Sequence, residues 1–228
     1  MTQTLSQRLK EATADLHRQA ERSGLMARLL RGRIDHAAYG RLLRSLLEIY
    51  QALEDAFRRH ATHRLLAELP LTGLWRSDAL RGDIDALRAS RVAPAAPALE
   101  YAGRLAQLSR DDPALLAAHA YVRYLGDLHG GQVLRTIVGR ALALHDHDGL
   151  AFYALGDAAQ VRASVSALRQ GFDRIGLADP AAAGRIVAEA REAFARHIVL
   201  FESLADDDAS ALLRETANVP VQRSGAAR

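Results

Sequence analysis

The chain has 228 residues, 49% of them hydrophobic and 25% charged, enough for one globular domain with a substantial core. It has no cysteine, which excludes disulfides, thiolate metal ligands and cysteine nucleophiles and fits a reducing compartment. The net charge of +3 is spread as arginines along helical segments and never gathers into a basic run, so no nucleic-acid partner is expected.

Alanine, leucine and arginine are abundant while β-branched and aromatic residues are sparse, which predicts an all-α fold. Leu5, Leu9, Ala12, Leu16 and Ala20 recur at helical spacing and predict a first helix that ends at Gly24. A second begins after Asp35 as N-cap and carries Tyr39, Leu42, Leu43, Leu46, Leu47, Ile49, Tyr50 and Leu53 on its apolar side. From Thr62 to Pro97, prolines and glycines break the chain into short helices and loops. A helix after Pro97 runs to Leu108. Asp111, Asp112 and Pro113 then read as the cap and first turn of a long helix from Ala114 towards Leu144. After a polar loop at His145–Gly149, helices are expected over Ala158–Ile175 and Pro180–Leu204. Residues 1–205 read as one domain and 206–228 as a polar, fraying tail. No stretch approaches the roughly 18 apolar residues of a spanning helix, so a cytoplasmic protein without a membrane partner is expected.

Gly126-Asp127-Leu128-His129-Gly130-Gly131 interrupts this pattern, with helical periodicity on both sides. Three glycines in a helix interior cost roughly 3 kcal/mol relative to alanine, so local stability does not explain them. Gly126 and Gly130 are one turn apart and share a face on which a flat ligand could approach the backbone. A kink there would free backbone amides to face the ligand. Close helix packing, or a loop between two helices, is the competing reading. Asp127 would hold ordered water at the cavity in the first case and be a solvated charge in the second.

On the first helix, His17 and Glu21 are neighbours at i, i+4. The pair suits an axial imidazole with a carboxylate steadying its second nitrogen, although such pairs are also common on solvated helices.

The stretch Ala118-His-Ala-Tyr-Val-Arg-Tyr-Leu-Gly-Asp-Leu-His-Gly-Gly-Gln132 resembles the signature of the haem oxygenase family. Leu9-Lys-Glu-Ala-Thr-Ala-Asp-Leu-His-Arg-Gln-Ala-Glu21 resembles that family's proximal helix, and the similarity extends from about Leu5 to Leu204. It implies a single-domain multi-helix bundle with haem between an N-terminal proximal helix and a kinked, glycine-rich distal helix. His17 would be the iron ligand and Glu21 its hydrogen-bonding support. Gly126 and Gly130 would contact haem closely, with a backbone amide near Gly130 donating to bound oxygen and Gly131 permitting the kink. Asp127 would anchor distal water, supported by Tyr50, Arg123 and Tyr124. Tyr121 and Phe194 would line the haem site, while Lys10 and Arg169 would hold the propionates. The implied activity opens haem to biliverdin, carbon monoxide and ferrous iron using oxygen and external electrons. The implied donor is a ferredoxin, a flavin reductase or a small-molecule reductant, the enzyme acting as a monomer, with a bilin-accepting protein as a further partner.

Three departures stand out. His129 replaces a small serine, and Ala14 and Val165 stand where many relatives carry propionate-binding lysines. Haem seating, which sets the ring carbon attacked, is therefore open. The polar stretch Asn218–Arg228 lacks the hydrophobic anchor of membrane-bound relatives. Of the other histidines, His145 and His147 read as solvated, with a loop metal site as the alternative. His36, His60 and His63 read as surface positions, and His119 as structural. A non-degrading haem carrier or sensor is the rival function, disfavoured by Asp127. A thiaminase-like hydrolase would need a cysteine, and a di-iron bundle would need Glu-x-x-His pairs that do not occur.

Overall fold

The first helix forms where an apolar stripe meets a capping box. In the computed structural model, which describes residues 3–145 and 148–217 with side chains through residue 206, α1 spans Leu5–Arg22. Thr4 Oγ1 accepts from the Gln7 amide while Gln7 Oε1 accepts from the Thr4 amide at 3.0 Å. The buried positions are Leu5, Leu9, Thr13 and Ala20, with Ala12 and Leu16 only half-buried.

The first helix ends just before Gly24, as expected, with Ser23 as its C-cap. Gly24 opens α2 (Gly24–Leu30), an element the periodicity does not disclose, in the left-handed region at φ +40°. A Cβ here would lie 2.0 Å from the Phe201 carbonyl oxygen, so α2 rests directly on the backbone of the C-terminal helix. Gly24→Ala is expected to lose roughly 2–4 kcal/mol in urea unfolding, because backbone strain and a backbone clash act together. Unchanged stability would contradict this contact.

α3 (His36–Arg59) begins as the Asp35 cap predicts, with Asp35 Oδ1 accepting from the Ala38 amide at 2.8 Å. Its apolar side, including fully buried Tyr39, Tyr50 and Leu53, forms the centre of the core against α4 (Ser77–Ala86) and α5 (Ala96–Asp111). No local side chain caps α4. Its cap comes from Glu54 on α3, which is buried and accepts from the Arg76 and Ser77 amides at 2.6 and 3.1 Å. Buried Asp83 in turn accepts from the Ala151 and Phe152 amides.

α5 continues past Leu108 to Asp111, and Asp112 is, as expected, the N-cap of the helical run that follows, with Pro113 in its first turn, although no side-chain capping hydrogen bond forms. The Asp112 carboxylate pairs with Arg185 at 3.1 Å, and Pro113–Leu115 forms a separate 3₁₀ turn. Next come α6 (Leu116–Ala120), a π-helical turn at Tyr121–Leu125, and α7 (Gly126–Leu142). The irregularity in this distal segment thus precedes the glycines. Gly126 has φ −60° and ψ −48°, and Gly130 and Gly131 lie within regular α-helix. Wide turns of this kind bend helices and recur at functional sites.

α8 (Ala158–Ala178) carries a capping box from Asp157 and Gln160, and α9 (Pro180–Ala217) packs against α1, α2, α5, α6 and α8. Both outrun the ends expected from periodicity. No strand occurs among the described residues, and none of their helices is long and apolar enough to cross a membrane. Asp146 and His147 of the polar loop, and residues 218–228 with their expected lack of an anchor, fall outside the described residues.

His119 is structural, as expected. Fully buried, it lies 3.1 Å from Glu189 Oε1 through Nε2, while Tyr101 Oη lies 2.8 Å from Nδ1. Burial would raise the Glu189 carboxyl, but hydrogen bonds from His119 and Arg104 override it and hold the pKa at about 2. His60 departs from the surface reading: it is half-buried, with Nε2 2.8 Å from the Ser109 carbonyl oxygen.

Candidate functional site

A cavity of about 710 Å³ opens beside α1, within the roughly 300–1,000 Å³ typical of ligand sites. α1 lines it with Lys10, Ala14, His17 and Glu21, which accounts for the side of that helix left unburied. The π turn and α7 contribute Tyr121, Arg123, Gly126, Asp127, His129 and Gly130. α8 adds Arg169, and α9 adds Phe194, His197 and Phe201.

The glycines divide by role. A Cβ built on Gly126 meets nothing within 4 Å, and one on Gly130 meets only Leu134 Cδ1 at 3.9 Å. Neither is therefore needed for packing within the protein. Gly131 is a packing glycine, whose Cβ would touch the Tyr153 carbonyl oxygen at 3.5 Å, and it does not line the cavity. Hence Gly126→Leu should fold as stably as the parent, gaining up to about 1 kcal/mol of helix propensity. It should also weaken binding of a planar ligand at least about tenfold by filling that ligand's space. Parallel thermal melts and hemin titrations check this, and unimpaired hemin binding would contradict it.

Beside the glycines lies a buried polar network. Asp127 Oδ2 accepts from the Tyr50 hydroxyl, and Asp127 Oδ1 accepts from Arg123 Nη2 at 3.1 Å. Arg123 Nε also donates to Tyr50 Oη at 3.0 Å, and its Nη1 donates to His197 Nε2 at 2.9 Å. His197 Nδ1 donates to the Ala193 carbonyl at 2.8 Å, which leaves Nε2 as the acceptor. Burial raises the Asp127 carboxyl above its ordinary value, with Arg123 and the Tyr50 hydrogen bond opposing. Burial also drives Tyr50 up and, together with the Arg123 charge, drives His197 well down. Tyr50 and His197 are thus held neutral beside an Arg123–Asp127 ion pair. The Asp127 side chain retains 10% exposure, at the cavity wall.

His17 lies on α1 with Nδ1 3.7 Å from Glu21 Oε1 and its ring edge-on to Phe194 at 5.8 Å. Nε2 has no hydrogen-bond partner among the described residues. No cluster of three metal-ligating side chains exists among those residues, and of the three imidazoles that line the cavity His129 meets Arg169 and His197 meets Arg123, which leaves His17 with its Nε2 unengaged. That donor set fits haem, whose four pyrrole nitrogens require only an axial ligand from the protein.

Three expected residues do not line the cavity, and of these Tyr50 is linked to it through its hydrogen bond to Asp127. Tyr124 packs edge-on to Tyr50 at 5.9 Å with its hydroxyl buried and without a partner, and Gly131 packs on Tyr153. Several unexpected ones do line it. His197 and Phe201 stand at i+3 and i+7 from Phe194 on one face of α9, a spacing that could have disclosed them. Arg18 joins Lys10 and Arg169 as a cavity-lining cation.

Fold and site together define an all-helical protein whose described residues form a cavity with two unpacked glycines, an imidazole left free for a metal and a buried carboxylate network. The chain belongs to the Heme oxygenase family, which it matches over residues 3–203. It is 34% identical to Heme oxygenase 1 of Synechocystis over 90% of this chain and 86% of that protein. To human Heme oxygenase 1 it is 37% identical, over 90% of this chain and 73% of that protein. Among solved structures, heme oxygenase-1 from Synechocystis in complex with heme superposes with a TM-score of 0.85 at 33% identity, covering 95% of this chain and 99% of that one. Heme oxygenase-2 from the same organism, in complex with heme and NO, gives a TM-score of 0.86 at 32% identity, covering 94% and 90%.

Proposed function

We propose that this chain is a haem oxygenase that binds haem as cofactor and substrate and opens it to biliverdin, carbon monoxide and ferrous iron. Haem supplies the iron that takes up dioxygen and the ring that is opened. His17 Nε2 would hold the iron, and Glu21, 3.7 Å from Nδ1, would steady the ring. Gly126 and Gly130 would leave room for the macrocycle against α7, and Tyr121 and Phe194 would line its site. Lys10, Arg18 and Arg169 offer positive charge to its carboxylates.

Asp127 has the decisive chemical role. A carboxylate offers about four lone-pair sites. Tyr50 and Arg123 occupy two, which leaves the cavity side free to hold water and pass a proton to an oxygen species in the cavity. Arg123, clamped by Tyr50 and His197, fixes the carboxylate's orientation. That convergence of His17, two unpacked glycines and the Asp127 network on one cavity carries the proposal. A non-degrading carrier would need the histidine and glycines but not the network.

The reaction draws electrons from outside, because opening haem with dioxygen consumes several reducing equivalents in every turnover, and we assign a ferredoxin or flavin reductase as the donor class. The enzyme works as a cytoplasmic monomer and can pass its product to a bilin-accepting protein. Turnover with a competent reductase should release one equivalent each of carbon monoxide and chelatable ferrous iron per haem. Haem that survives with that donor would support the carrier reading.

A further inference from the structure

His129 stands beside Gly130 on the cavity wall, yet neither axial ligation nor the Asp127 network uses it. Its Nδ1 is 2.5 Å from the Leu125 carbonyl oxygen. A carbonyl can only accept, so Nδ1 carries the proton and Nε2 presents a lone pair. Arg169 Nη2, on α8, lies 3.3 Å from that Nε2 and can only donate. The bond therefore joins α7 to α8 at the rim of the cavity that both side chains line.

The Arg169 guanidinium is otherwise uncommitted. No carboxylate among the described residues lies within ion-pair distance of it, so its charge is available to an anion in the cavity. Cations are few here. Arg123 is taken by Asp127, and Ala14 provides none, which leaves Lys10 and Arg18 on α1 and Arg169 on α8. An arginine free in solvent samples many rotamers, whereas one held by a fixed acceptor presents its remaining N–H groups in one direction.

We propose that His129 is a specificity-determining residue: its imidazole fixes the Arg169 guanidinium at the α7 rim and thereby fixes the in-plane orientation of haem. This rests on the reading of the cavity as a haem site. The two carboxylates of haem lie on one edge of a nearly symmetric disc, so the position of the cations decides which ring carbon faces Asp127. Serine or alanine at position 129 could not reach across to Arg169.

The test compares wild type with His129→Ala, Arg169→Ala, the double variant and His129→Gln, whose amide oxygen can again accept from Arg169. Hemin transfer to apomyoglobin should accelerate roughly 3–10-fold in each alanine variant, as loss of one exposed hydrogen bond implies. The double variant should be no faster than Arg169→Ala, because the two residues act as one unit. Proton NMR of the cyanide-ligated ferric complex should show one set of haem-methyl resonances in wild type and His129→Gln, and a second set in the alanine variants. Biliverdin isomers separated by chromatography should mix in the same proportion as the two sets. If His129→Ala releases hemin at the wild-type rate with a single set, the proposal falls while the haem reading stands. Wild-type protein that takes up no hemin would overturn both.

Discussion

Asp127→Asn should bind hemin with nearly wild-type affinity and open it at least about 100-fold more slowly, the scale of a lost general acid or base. Asparagine keeps an oxygen for Arg123 but loses the negative charge and the second acceptor that Tyr50 uses. Asp127→Ala should be as inactive and should also lose about 1–3 kcal/mol of stability, because Tyr50 and Arg123 are left buried with unmet hydrogen bonds. Comparing the two variants separates chemistry from folding. Biliverdin formed per bound haem, measured below the unfolding temperature of each, is the readout. Turnover by Asp127→Asn at the parental rate would remove the carboxylate from the mechanism.

His17→Ala should show the opposite split, with an intact fold and failed haem ligation. The imidazole is 54% exposed and touches little beyond the Phe194 ring edge and Glu21. Stability should therefore stay within about 0.5 kcal/mol of the parent. Hemin affinity should fall by more than the roughly 10–100-fold that loss of a ligand's supporting partner costs, and Glu21→Gln should fall within that smaller range. Added imidazole should restore the ligated spectrum of His17→Ala by occupying the vacated axial position. An unaltered hemin spectrum in His17→Ala would mean that another residue ligates the iron.

The long elements are legible in the sequence because their signals are local. The Asp35 cap and the apolar face from Tyr39 to Leu53 define α3, and capping boxes mark the starts of α1 and α8. α2 and α4 are not legible, because what holds them is distant in sequence. Gly24 is seated by the Phe201 backbone, and the start of α4 is satisfied by Glu54 on α3. At the site, His17, Gly126, Asp127 and Gly130 can be named from spacing and resemblance, since each lies in a motif. The role of Gly131 cannot be read, because packing against Tyr153 is a tertiary fact. Nor can the displacement of the helical irregularity to Tyr121–Leu125, which has no glycine to mark it. His197 shares the helical face of Phe194, but that spacing alone does not separate a cavity wall from ordinary core, and it is the contact with Arg123 that gives His197 its role.

A cavity that both binds haem and directs its oxidation through Asp127 must show the two properties in one experiment. The most direct measurement is the absorption spectrum of wild-type protein with one equivalent of hemin, followed in air after a reductase system is added, beside the same trace for Asp127→Asn. The predicted result is decay of the haem band and growth of a broad biliverdin band in wild type, with the haem band persisting in the variant. Persistent haem in both, or equal decay in both, would contradict that role for Asp127 and its cavity.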